Sequence, residues 1–168
     1  MKTKVLWIED SARLELRSMT GPIYMSEDYD LNLAEDATKA VRYLSVKEYD
    51  VVILDMRLPP GADSYWVDFY HTKGSDKALA HLGMELAEWL VNGRVDFPTK
   101  KPEWISPLHV AVFTVENDQT VHDRLEKLKI SVYEHKTAGL KDTILIEIIK
   151  RVLEQKKKGE LSHDGNPI

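Results

Sequence analysis

Short apolar runs alternate with amphipathic stretches in an ordered way along this chain, and that alternation restricts its possible folds more than any other feature. Lys4 to Ile8 reads as a buried strand that stops at Glu9 and Asp10. Ser11 to Met19 then carries Leu14 and Leu16 among Arg and Glu, which predicts a helix capped by Ser11 or Asp10 and ended by Gly21-Pro22. A strand at Leu31 to Ala34 leads to Asp36, a cap for a helix whose Ala37, Ala40, Val41 and Leu44 share one face. Val51 to Leu54 is a third strand, delivering Asp55 before the chain breaks at Pro59-Pro60-Gly61.

The middle of the chain is less regular. Gly61 to Gly74 holds Tyr65, Trp66, Phe69 and Tyr70 in what reads as a loop with room for one helical turn. From the cap at Ser75-Asp76, Leu79, Leu82, Leu86 and Leu90 recur at helical spacing as far as Asn92-Gly93. Arg94 to Pro107, with three prolines, reads as irregular. Leu108 to Thr114 and Ile130 to Glu134 are the last strands, followed by helices at Asp118 to Lys129 and Leu140 to Glu154. Domain boundaries follow: 1–158, with an insertion at about 60–75, and a polar tail at 159–168 expected to be disordered.

Five strand–helix units imply a parallel sheet covered on both faces by helices, because parallel strands need crossovers and those are right-handed. Strands buried on both sides must be continuously apolar, as VVIL and HVAVF are. At 168 residues the chain is long enough for a substantial core. A net charge of -5 with no dense basic run argues against nucleic acid, and Lys156 to Lys158 read as a solvated helix end. The absence of cysteine excludes disulfides, thiolate catalysis and thiolate-bound zinc. No run approaches membrane length and no signal peptide precedes the first strand, so a cytoplasmic location is expected.

In open sheets of this kind, ligands bind beyond the carboxyl ends of the strands. Those ends here carry Glu9 and Asp10, then Asp55, then Thr114, with Lys136 just after the fifth strand. Three carboxylates so gathered would repel one another unless a cation joined them. An oxygen-rich cluster without thiols suits a hard ion that keeps water and binds phosphate oxygens, which points to Mg²⁺. With a hydroxyl and an ammonium added, the set matches the needs of phosphoryl transfer to a carboxylate.

The acidic pair in LWIEDS, then VVILDMRLP, VFTVE and YEHK, each at a strand end and in this order, resemble the receiver domains of two-component response regulators. The resemblance spans nearly the whole chain. It implies a flavodoxin-like doubly wound fold, strand order 2-1-3-4-5, with an insertion after strand three. Carried over, it makes Asp55 the phospho-acceptor, and Glu9, Asp10, Asp55 and the backbone carbonyl of Arg57 the Mg²⁺ ligands. Thr114 and Lys136 would each hold a phosphoryl oxygen, and Tyr133 would be the aromatic switch. Arg57 and Glu116 would either tune the lifetime of the aspartyl phosphate or pair with each other.

Two departures stand out. The family usually has proline in a cis peptide after the lysine, where this chain has Thr137. Its third helix normally starts soon after the Asp-to-Pro segment, near Gly83 here, so the insertion's aromatic residues would stand beside Asp55. The leading expectation is a phospho-acceptor, not an enzyme with turnover, served by a histidine kinase or a phosphotransfer protein. With no effector domain after Glu154, its output would be contact with a downstream protein, onward phosphotransfer or a phosphorylation-dependent homodimer, without direct binding of nucleic acid or membrane. The alternative is a receiver-like scaffold that binds its partner independently of phosphorylation. A phosphatase with an aspartyl-phosphate intermediate is disfavoured, because such enzymes carry a second aspartate where this chain has Arg57.

Overall fold

A computed structural model describes residues 1–164. Its five strands are β1 (Thr3–Ile8), β2 (Tyr29–Ala34), β3 (Val51–Leu54), β4 (Val110–Thr114) and β5 (Val132–His135). They form one parallel sheet in the order β2-β1-β3-β4-β5, so the expected doubly wound topology is observed. Around it lie α1 (Gly21–Met25), α2 (Ala37–Val46), α3 (Ser64–Thr72), α4 (Lys77–Ala80), α5 (Leu82–Asn92), α6 (Gln119–Lys127) and α7 (Ile144–Asp164).

The continuous apolar runs are explained by the two faces. Leu6, Ile8, Val52, Leu54, Val110 and Val112 meet residues of α2, α3, α5 and α6 on one side. Val5, Trp7, Val51, Ile53, Ala111 and Phe113 meet α1 and α7 on the other. Successive side chains alternate between faces, and both faces are covered, so every position must be apolar. Full burial of each such side chain contributes roughly 1.5–3 kcal/mol before the entropy of ordering the chain is subtracted.

Several expectations are corrected. The helix predicted from Ser11 to Met19 is a succession of turns with a 3₁₀ segment at Arg17–Met19. Gly21-Pro22, read as a stop, instead opens α1, because proline is tolerated in a helix's first turn where its missing N–H is not needed. Conversely, the insertion is helical. The Asp63 carboxylate accepts from the Tyr65 N–H at 2.9 Å, capping α3, and Trp66 is wholly buried.

The long helix predicted from Ser75 to Asn92 is broken at His81, which takes a left-handed conformation (φ 46°) between α4 and α5 and leaves Leu79 exposed. The expected capping by Asp76 and Gly93 is observed. Residues 107–109 form a 3₁₀ turn, so β4 starts at Val110, two positions after the predicted Leu108.

The tail expected to be disordered from Gly159 is helical to Asp164, and 165–168 lie outside the described residues. Glu160 and Leu161 there are good helix formers. The helix is also tied to the sheet's amino edge: Gln155 Nε2 donates to the Leu108 carbonyl at 2.8 Å and Lys156 Nζ to the Asp50 carbonyl at 3.1 Å. Lys156 is therefore bound there and is not simply solvated. No helix among the described residues is long and apolar enough to cross a membrane.

Candidate functional site

Strand register assembles the site. Ile8 is paired with Leu54, so the next residues, Glu9 and Asp55, leave adjacent strands side by side. The ladder extends one step beyond them, with the Asp55 N–H donating to the Ile8 carbonyl at 3.1 Å and Glu9 N–H to Ala34 at 2.9 Å. Across β4 and β5 the Lys136 N–H likewise donates to the Thr114 carbonyl at 2.8 Å. Residues scattered from 9 to 136 thus meet at one sheet edge, because each follows directly on a strand whose register is fixed by two apolar faces.

One carboxylate oxygen from each of Glu9, Asp10 and Asp55 lies within 4.8 Å of the others. They line an open cleft of ≈ 360 Å³ together with Arg57, Lys77 and Lys136. Lys136 Nζ pairs closely with Glu9 Oε2 and lies 3.1 Å from Asp55 Oδ2. Its ammonium also sits 5.3 Å from the centre of the Phe113 ring, an apolar floor that strengthens its attraction to the carboxylates. The Lys136–Thr137 peptide is trans, as are all the others described, so this lysine reaches Asp55 without the cis bond usual in the family it resembles.

Glu9 is 1% exposed. Burial pushes its carboxyl up to about 8, the Asp55 charge adds to the rise, and Lys136 opposes it. Burial and a neighbouring like charge that raise Glu9 in this way favour any cation that can reach it, and the all-oxygen donor set fits a hard divalent ion. The triad can therefore hold such an ion.

The other predicted residues are more dispersed. Thr114 is at the end of β4 but fully buried, and its Oγ1 accepts from the Glu116 N–H at 3.3 Å. Its neighbour Val115 is the residue from this loop that lines the cleft. Arg57 Nε pairs directly with Glu116, and the Arg57 N–H lies 3.4 Å from Asp55 Oδ1. The Tyr133 hydroxyl donates to the Glu116 carbonyl and lies 3.1 Å from Asn117 Oδ1, with its ring stacked edgewise on His122 at 4.6 Å. Tyr133 therefore holds the β4–α6 loop and has no contact with Asp55 in this arrangement.

The aromatic insert does not stand beside Asp55. Tyr65 and Trp66 instead pack on Phe97 at 4.6 and 5.2 Å, making a local hydrophobic cluster. What the segment just after the insertion brings to the cleft is Lys77, whose Nζ is 2.5 Å from Asp10 Oδ2. That bond holds the Lys77 ammonium above its ordinary range. Sequence reasoning missed Lys77, since a lysine one residue into a short helix carries no signal of its own.

Gly83 was also missed as a packing requirement. A Cβ at that position would lie 1.8 Å from the Asp55 carbonyl oxygen, so α5 approaches the end of β3 as closely as only glycine permits. His81 Nε2, buried and 3.3 Å from Glu116 Oε1, lacks hydrogen-bond geometry to it.

No protein-family profile and no curated protein matches the sequence. Solved structures do match. A CheY-like receiver domain protein from Methanospirillum hungatei JF-1 superposes with a TM-score of 0.59 at 17% identity, over 94% of this chain and 99% of that one. The non-phosphorylated HemR receiver domain from Leptospira biflexa gives 0.58 at 19% identity, over 90% and 94%. A response regulator from Burkholderia pseudomallei, solved with a phosphorylated aspartic acid, a calcium ion and citrate, gives 0.54 at 16% identity, over 99% and 76%. The chain has the receiver-domain fold, and its acidic triad at the carboxyl edge of the sheet resembles the site of that class.

Proposed function

We propose that this protein is a phospho-acceptor receiver in which Asp55 takes a phosphoryl group from a histidine kinase or a phosphotransfer protein. One observation carries the reading: Asp55 is flanked by two further carboxylates within 4.8 Å and by an ammonium at 3.1 Å, all at one sheet edge. An Asp55 oxygen would attack the donor's phosphorus, an acyl phosphate bond would form, and the bond to the leaving group would break with its electron pair departing on that group. Attack of water on phosphorus returns the carboxylate.

Glu9, Asp10, Asp55 and the Arg57 carbonyl would hold Mg²⁺, which when bound neutralises charge on the phosphoryl oxygens. Lys136 would shift from bridging Glu9 and Asp55 to pairing with a phosphoryl oxygen, and Thr114 would donate its hydroxyl to another. The Arg57–Glu116 pair would set access of water to the phosphate. Tyr133, tied to the same loop as Thr114, would report movement of that loop to the surface formed by α6, β5 and α7. Binding of a downstream protein there would be the output.

Wild type and Asp55→Asn incubated with Mg²⁺ and acetyl phosphate, then run on a gel that retards phosphoproteins, test the reading. A retarded band in wild type alone is expected. An unshifted wild type overturns it.

The scaffold alternative has one observation in its favour. Lys77 and Lys136 already neutralise much of the acidic cluster without an ion, as a site preserved for shape would. It predicts partner capture that is equal for wild type and Asp55→Asn.

A further inference from the structure

Three carboxylates in the cleft face two ammonium groups, and the two have different origins. Lys136 follows β5, whereas Lys77 comes from the segment just after the insertion, on the four-residue α4. Its placement is well determined. On its amino side the Asp76 carboxylate accepts from the Ala78 N–H at 2.8 Å. On its carboxyl side the left-handed His81 turns the chain into α5, whose Gly83 N–H donates to the Met56 carbonyl at 3.1 Å. The whole segment hangs from α3, anchored by the buried Trp66. Lys77 is thereby held 2.5 Å from Asp10 Oδ2, on one of the three carboxylates of the triad.

We propose that Lys77 is a built-in competitor of the divalent ion: it occupies Asp10 in the metal-free state and must leave when the ion binds. This inference rests on reading the cleft as a metal site. An ammonium and a divalent cation sharing one carboxylate repel each other over a few ångströms, so the Lys77–Asp10 pair opens on metal entry. Metal occupancy is then coupled to α4, and through it to the insertion.

The test is a Mg²⁺ titration of the full chain followed by backbone amide NMR shifts, on wild type, Lys77→Met, Lys77→Arg and Lys150→Met. Lys77→Met is expected to bind Mg²⁺ about 3- to 10-fold more tightly, the size that loss of one partly solvated cation near the ion gives. Lys77→Arg should stay near wild type. Lys150→Met removes the same charge from an exposed position on α7 and should change affinity little.

In wild type, amides of residues 76–81 should shift with the same midpoint as those of the triad. A general loss of structure would weaken binding, so tighter binding cannot arise from damage. If wild type binds Mg²⁺ and Lys77→Met binds it equally or more weakly, the competitor role is wrong while the metal site stands. If neither binds, both fall.

Discussion

Two regions that send residues to the cleft, Ser11, Glu15 and Leu16 from one and Lys77 from the other, serve as its walls and are built in opposite ways. On one side, residues 11–25 cross from β1 to β2 through turns, a 3₁₀ segment and the five-residue α1, burying Ala12, Met19 and Ile23 but leaving Leu14, Tyr24 and Met25 exposed. On the other, α3, α5 and the segment after α5 enclose Trp66, Trp89 and Phe97, with ring centres 5.2 and 5.7 Å apart. Arg94 caps that cluster by lying 5.6 Å from the Tyr65 ring while pairing with Glu85. A charge cluster such as the cleft floor stabilises little by itself, because desolvation consumes most of the Coulombic gain. Strand register sets its geometry, and the wall with the larger apolar burial, the one that also delivers Lys77 and Gly83, supports it.

The largest test of that asymmetry is Trp66→Ala. Removing a fully buried indole should cost about 3–5 kcal/mol, from lost transfer energy and the cavity left between Tyr65 and Phe97. Its Nε1 has no hydrogen-bond partner, so no polar contact is lost with it. Equilibrium unfolding in urea measures the change. A cost under about 1 kcal/mol would mean that the cluster is ornamental and that the two walls do not differ.

The same contrast explains what was legible in the sequence. Val51 to Leu54 and Val110 to Thr114 were readable as strands because both their faces are buried, and the candidate site was proposed from the residues that end or follow such runs. The two walls were misread in opposite directions. Trp66, Phe69 and Tyr70 are at helical spacing behind the Asp63 cap, but the glycines at 61 and 74 and the aromatic composition suggested a loop.

Leu14 and Leu16 suggested a helix from Ser11, yet Leu14 is 76% exposed and the buried Ala12, Met19 and Ile23 are reached through turns, a 3₁₀ segment and α1. Lys77 and the demand for glycine at 83 depend on contacts between segments far apart in sequence, which no local pattern encodes.

Between the walls, Glu9 provides the next effect. Its folded-state carboxyl is raised from 4.5 to about 8, so folding takes up a proton over that interval. Its contribution to stability is fully present below the unfolded value and is lost as pH rises towards about 8. Melting temperatures measured in EDTA should therefore fall with pH across this window in wild type relative to Glu9→Gln. If the triad takes Mg²⁺ as proposed, the ion should flatten that difference, since it would bind the deprotonated carboxylates. Parallel curves for the two proteins, with and without Mg²⁺, would show that Glu9 is not held against its charge.

The smallest effect belongs to the thin wall. Leu14→Ala removes a side chain that is mostly in solvent, and its cost should be within about 0.5 kcal/mol, in the same urea experiment that registers Trp66→Ala. The neighbouring Arg13–Glu35 pair, with Arg13 largely exposed, adds little for the same reason. A low cost is informative only if the segment is also locally weak, so amides of 13–18 should exchange with solvent far faster than those of α3, whose opening requires withdrawing Trp66. A cost above about 1.5 kcal/mol, or equal protection of both segments, would mean that residues 11–25 pack against a surface this arrangement leaves open. The cleft would then be closed on that side as firmly as on the other.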